Sequence, residues 1–161
     1  MKAPVVVFAI GNPSLGDDAI GPELLGRLAA WLDQAGLTER VELIEDFQLN
    51  IEHALDLAGR ELALFIDAGE NTPAPYLFER IFPAAMATHS THALPPPAVL
   101  QVFRQTEGCE PPPSFVLCVR GERFELGESL TPEALGRVEE AMHCLRRLMT
   151  LPTEAAWLAW P

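Results

Sequence analysis

Six consecutive apolar residues near the amino terminus, Val5-Val6-Val7-Phe8-Ala9-Ile10, read as a buried strand. After a glycine-containing turn, Ile20, Leu24, Leu28 and Leu32 recur at helical spacing, Trp31 widens the stripe, and Gly36 suits its end. Residues 41–44 read as a short strand, and Asn50 can cap a helix passing through Ala54, Leu55 and Leu57 towards Gly59. A second continuous apolar run, 62–66, has the pattern of a central strand covered on both faces. Residues 76–82 alternate only in part and read as a weaker strand. Pro95-Pro96-Pro97 can open a helix but cannot lie inside one, so a helix is expected over 97–105. Residues 115–119 are the next buried strand. Thr131-Pro132-Glu133 then supplies a cap, a first-turn proline and an acidic first turn to a helix carrying Leu135, Val138, Met142, Leu145 and Leu148. This alternation predicts a single-domain, three-layer α/β/α sandwich with a mostly parallel central sheet over residues 1–150. Residues 151–161, with Trp157 and Trp160, form a C-terminal tail to which the pattern assigns no element.

Size and charge narrow the classes of partner. A chain of 161 residues suits one domain that buries roughly two-thirds of its unfolded surface, and no linker, repeat or low-complexity tract divides it. The apolar runs fall well short of the roughly 20 residues that span a bilayer. Met1-Lys2-Ala3-Pro4 enters a strand directly without a signal peptide's cleavage region, so a cytoplasmic location is expected. A formal net charge of −12 argues against nucleic acid or an anionic membrane as partner and suits a metal cation or a basic peptide segment. Cys109, Cys118 and Cys144 form no Cys-x-x-Cys pair; Cys118 and Cys144 read as small core residues and Cys109 as an exposed thiol.

The chemistry concentrates where the first strand gives way to the first helix, in Gly11-Asn12-Pro13-Ser14-Leu15-Gly16-Asp17-Asp18-Ala19-Ile20-Gly21. Strand-to-helix turns at the carboxyl edge of an open α/β sheet are where ligands bind. Gly16 follows Gly11 at phosphate-loop spacing, but Asp17 stands where that motif requires Lys, and an aspartate pair repels a phosphate. The loop is built for a cation or for proton transfer. One aspartate can serve as a helix cap, and Asp17 is expected to do so, at about 1 kcal/mol; two adjacent aspartates exceed what capping needs. Asp67 ends the 62–66 strand and should open onto the same crevice, which His92, just before a helix, could reach through its loop. Two carboxylates and an imidazole would bind a borderline divalent metal such as nickel, zinc or iron with coordination positions left open.

Taken singly, each residue also has a plain structural reading. Asp67 can cap a turn, and His92 with His89 can belong to a solvated loop. His53 and His143 lie in amphipathic patterns as surface or satisfied histidines, and Glu45 and Asp46 end a strand as a solvated face. No Gly-x-Ser-x-Gly elbow and no His-Glu-x-x-His helix is present.

Gly11-Asn12-x-x-x-Gly16-Asp17-Asp18-x-x-Gly21 after an N-terminal strand, Leu62-Ala63-Leu64-Phe65-Ile66-Asp67-Ala68, and Ser90-Thr91-His92-Ala93-Leu94 occur in that order. Together they resemble the [NiFe] hydrogenase maturation endopeptidases over nearly the whole chain. The resemblance implies a peptidase that removes the C-terminal extension of a hydrogenase large-subunit precursor after nickel insertion. It further implies that Asp18, Asp67 and His92 form both the catalytic and the metal-contacting set. The nickel would come from the substrate, and zinc or cadmium could occupy the same position. A monomer acting on the precursor is the implied assembly. One segment departs from the family: many members carry Asp-Gly-Gly-Thr where this chain has Glu45-Asp46-Phe47-Gln48-Leu49-Asn50, whose Gln-Leu resembles the subgroup serving bidirectional, NAD-reducing hydrogenases. Two other readings of the same residues are a non-proteolytic chaperone that recognises a metal centre and another metal-assisted hydrolase on this scaffold.

Overall fold

A computed structural model of the chain describes residues 2–86 and 93–161. Five strands form one sheet in the order β2-β1-β3-β5-β4. They are β1 (Val5–Ile10), β2 (Val41–Asp46), β3 (Leu62–Gly69), β4 (Tyr76–Ile81) and β5 (Ser114–Arg120). β1, β2, β3 and β5 run parallel, and β4 pairs antiparallel with β5 at one edge. The sheet is therefore mostly parallel, as the alternating strand and helix pattern predicts.

Strand alternation divides the core between two layers of helices. Val5, Val7, Ala9, Leu62, Leu64 and Ile66 face one side, with Leu24, Leu28 and Leu32 of α1 (Ile20–Ala35) and Val138, Leu145 and Leu148 of α3 (Pro132–Thr150). Val6, Phe8, Ile10, Ala63 and Phe65 face the other side, against a 3-10 helix (Ile51–Leu57) and α2 (Pro96–Glu107). Phe8 stacks on Phe65 with ring centroids 4.7 Å apart, locking the middle of that face. β1 is buried along its whole length, which is why its sequence is uniformly apolar rather than alternating.

Local signals explain most boundaries. Gly36 ends α1 in the left-handed conformation, and the Thr131 hydroxyl accepts from the Ala134 N–H to start α3. Two expectations change. The element after Asn50 is a 3-10 helix, begun by a reciprocal cap: Asn50 Oδ1 accepts from Glu52 N while His53 Nδ1 accepts from Asn50 N. Leu55 is consequently exposed, and in α3 Leu135 is partly exposed while Ala134 and Ala141 take core positions. Beyond α3, α4 (Glu154–Leu158) buries Trp157 against Phe115 and Phe78, and its indole N–H donates to the Leu148 carbonyl at 2.9 Å. That packing lies at the start of β5, the opposite end of the sheet from the strand ends that carry Asp46 and Asp67.

Candidate functional site

The glycines of the 11–21 turn are there because backbone crowds against backbone. Gly11 has φ +153°, and a Cβ on it would meet the Asp18 carbonyl oxygen at 2.0 Å. A Cβ on Gly21 would stand 2.4 Å from the Ile10 carbonyl oxygen, so the first turn of α1 packs directly onto the end of β1. Gly16, at φ +57°, would meet the Arg123 carbonyl oxygen at 2.4 Å. The Asn12 side chain accepts from the Ser14 N–H at 2.9 Å, and the Leu15 N–H returns to the Asn12 carbonyl at 3.0 Å. The turn is thus a compact plug over the end of β1, in which substitution by any residue with a Cβ is resisted sterically.

Asp17 and Asp18 share a 3-10 turn (Gly16–Ala19) and point to different surroundings. Asp17 is fully buried and caps no helix: α1 begins after Ala19 without any side-chain cap. This corrects the expected capping role. Its carboxylate accepts from the backbone N–H groups of Glu122 (2.7 Å), Arg123 (3.2 Å) and Thr131 (2.8 Å) and from the Thr131 hydroxyl (2.8 Å). Burial pushes its pKa upward, but the Thr131 and Glu122 N–H groups, the Thr131 hydroxyl and the Arg123 N–H outweigh that and hold it below the ordinary carboxylate value. Asp17 therefore fastens the β5–α3 loop to the turn.

Asp18 is half-buried, and its Oδ2 accepts from the Asn12 N–H at 2.6 Å. Asp67 stands on the last third of β3, next to the end of β1 in the parallel register. Its Oδ1 accepts from the neighbouring Ala68 N–H at 2.7 Å. Although the side chain is exposed, the protein crowded around the strand ends strips water from the carboxyl and raises its pKa to about 7. The Ala68 N–H opposes that rise, and the nearby Asp18 carboxylate adds to it. Asp18 Oδ1 and Asp67 Oδ2 have no hydrogen-bond partner among the described residues.

Among the described residues no group of three His, Cys, Asp or Glu gathers as a metal site. Asp18 and Asp67 are hard oxygen donors, the ligand type suited to hard and borderline divalent cations. His92 and His89 lie outside the described residues. His53 is buried, held by Asn50 and by Asp46 Oδ2, 3.3 Å from its Nε2, whereas His143 is exposed. Asp46 is thereby engaged with His53 and with the Phe47 N–H rather than facing solvent alone.

Cys118 is the feature at this edge that sequence reasoning placed elsewhere. It is the register partner of Asp67 on β5, half-buried rather than in the core, and its Sγ lies 3.0 Å from the Thr72 hydroxyl. Burial raises its pKa, with the Thr72 contact opposing and the Asp67 carboxyl adding to the rise, so the thiol stays protonated and is no nucleophile at neutral pH. The alternation of β5 could have placed its side chain on the face of Asp67 once the register was known. Among the described residues no helix is long and apolar enough to cross a membrane.

An α/β sandwich with carboxylates gathered at the carboxyl edge of a mostly parallel sheet defines the class. Within it, the chain has the fold of the [NiFe] hydrogenase maturation proteases. It is similar to the maturation protease HycI of Thermococcus kodakarensis at 22% identity and TM-score 0.68, over 92% of this chain and 94% of that one. It is similar to the maturating endopeptidase HybD of E. coli at 23% identity and TM-score 0.65, over 90% of each chain. An E. coli endopeptidase solved in solution matches at 25% identity and TM-score 0.64, again over 90% of each. No protein-family model matches the chain, and no curated protein matches it by sequence.

Proposed function

We propose that this protein is an endopeptidase that removes the C-terminal extension of a [NiFe] hydrogenase large-subunit precursor after nickel insertion. Asp18, Asp67 and His92 would contact the substrate's nickel. The observation that carries this reading is the pairing of Asp18 and Asp67 at one sheet edge, each with an oxygen left for a ligand. The shared fold with proteins named as hydrogenase maturation proteases supports it. The expected assembly is a cytoplasmic monomer acting on the precursor, and zinc or cadmium would occupy the same position in the isolated protein.

The Asn12 N–H holds the Asp18 carboxylate, so little side-chain freedom is lost when a cation arrives. Asp67, whose pKa lies at about 7, gives up its proton to water readily when a cation binds and can equally take one from an attacking water. The nickel of the substrate would polarise the scissile carbonyl or activate a water while its own protein ligands complete the shell. A weak, incomplete site in the protease makes cleavage conditional on a metal that the partner presents.

The test is incubation with nickel-loaded and nickel-free precursor, following loss of the C-terminal peptide by mass. Nickel-loaded precursor should be shortened and nickel-free precursor should remain whole, with His92→Ala weakening recognition of the loaded form. Efficient cleavage of nickel-free precursor under a strong chelator would favour an ordinary carboxylate protease. Binding without cleavage would favour a metal-recognising chaperone, and neither binding nor cleavage another hydrolase.

A further inference from the structure

Beside Asp67 the sheet carries a cavity of about 250 Å³ that the metal-directed reading does not use. Leu49, Phe65, Asp67, Leu77, Val116 and Cys118 are among the residues that line it. The topology builds it. Phe65 and Asp67 on β3, Val116 and Cys118 on β5, and Leu77 and Glu79 on β4 are alternate residues in register, so they share one face of the sheet. Pro96, the first residue of α2, also lines the cavity, so the helix starts at its edge.

We propose that this cavity is a specificity subsite that receives one apolar side chain of the peptide segment being processed. The inference rests on the endopeptidase reading and names what else the site must recognise. Three observations carry it. The volume is below the roughly 300–1,000 Å³ of small-molecule and cofactor pockets, and suits a single leucine-sized side chain. The exposed lining is mostly hydrocarbon, so it favours an apolar side chain over a polar one that would give up most of its hydration. Asp67 lies both in the lining and beside Asp18, so a side chain seated there brings its own backbone amide to the carboxylates. Anchoring through a neighbouring side chain is how binding energy away from the reacting bond positions it. Leu77, exposed on β4, is the adjustable part of the rim, whereas Phe65 and Leu49 are packed into the core.

The test has two arms. In the first, methyl-labelled protein is titrated with N-acetyl-leucine amide or N-acetyl-glycine amide and followed by NMR. Shifts confined to the methyl groups that line the cavity, those of Ile10, Leu49, Leu77 and Val116 among them, produced by the leucine derivative and lost in Val116→Phe, support the subsite. In the second, nickel-loaded precursors carrying glycine at one position at a time around the cut are processed by wild type, Val116→Phe and Leu77→Trp. One apolar-to-glycine change should lower wild-type kcat/KM about tenfold or more, and the filled variants should erase that preference while still cutting the glycine substrate. Leu77→Trp fills the cavity from an exposed position, so it keeps the question open if Val116→Phe fails to fold. Cleavage that ignores side-chain size in wild type, with no methyl shifts, overturns the subsite and leaves the endopeptidase reading standing. No cleavage of any precursor by wild type overturns the endopeptidase reading and the processing subsite with it.

Discussion

Behind the 11–21 turn, Asp17 is enclosed by protein and accepts four hydrogen bonds from the β5–α3 loop. In front of the turn, Asp67 stands near the end of β3 with, among the described residues, one hydrogen bond, from Ala68 next to it, and faces the like charge of Asp18. Both carboxyls lose water. Where fixed N–H donors replace the water, ionisation becomes easier and the group holds the structure together. Where they do not, ionisation becomes harder, and the group is left ready for a cation or a proton. Burial alone therefore does not decide whether a carboxylate is structural or chemical; the supply of donors does.

The largest effect expected on this contrast is on activity. Asp18→Asn should reduce precursor processing about a thousandfold, measured as product mass over time, while urea unfolding shifts by no more than about half a kcal/mol. Asp17→Asn should do the opposite. It turns an amide N–H₂ towards converging donors in a sealed space and should cost about 3 kcal/mol in urea unfolding. Processing should then recover under conditions where the variant is folded. If folded Asp17→Asn is inactive and Asp18→Asn is active, the two roles are reversed.

Gly11→Ala tests the plug that joins the two regions. The added methyl meets the Asp18 carbonyl, so a loss of about 2 kcal/mol in stability is expected together with impaired processing, since the same shift moves Asp18. The smallest effect concerns pH. Asp67 binds its proton more tightly in the folded state, so its contribution to stability falls as pH rises from the unfolded carboxylate range to about 7 and stays low above that. Asp67→Asn should therefore be more stable than wild type around pH 8 and lose most of that advantage as pH falls to about 4. With the side chain open to water, the gain should be about 1 kcal/mol, read from thermal melts. A variant less stable than wild type at the higher pH would mean that the Asp67 carboxylate has donors that compensate its charge.

The layers and most of the elements were legible in the sequence because burial on one or both faces imposes its own period. Uniform apolar runs announced β1 and β3, and the Thr131-Pro132-Glu133 cap announced α3. The 3-10 helix after Asn50 was not legible as such, since Ala54, Leu55 and Leu57 fit a short α-helix equally well. The short C-terminal helix was missed because its reason to form is tertiary: Trp157 finds Phe115 and Phe78, which lie far from it in the chain. Asp67 was legible as a strand-end carboxylate, but Cys118 beside it required the β3–β5 register.

The sequence by itself determined that two aspartates would sit at the mouth of a strand-to-helix turn, and that the second strand-end carboxylate would share their edge. Both follow from local period and from the parallel direction of the strands. Only the tertiary structure decided which aspartate faces which way. The donors that claim Asp17 come from residues 105 to 114 positions later in the chain, and no local pattern around Gly16-Asp17-Asp18 carries information about them. The division of labour between two adjacent, chemically identical side chains is thus a product of chain folding, in which successive residues of a tight 3-10 turn point about 120° apart, into the protein and out of it.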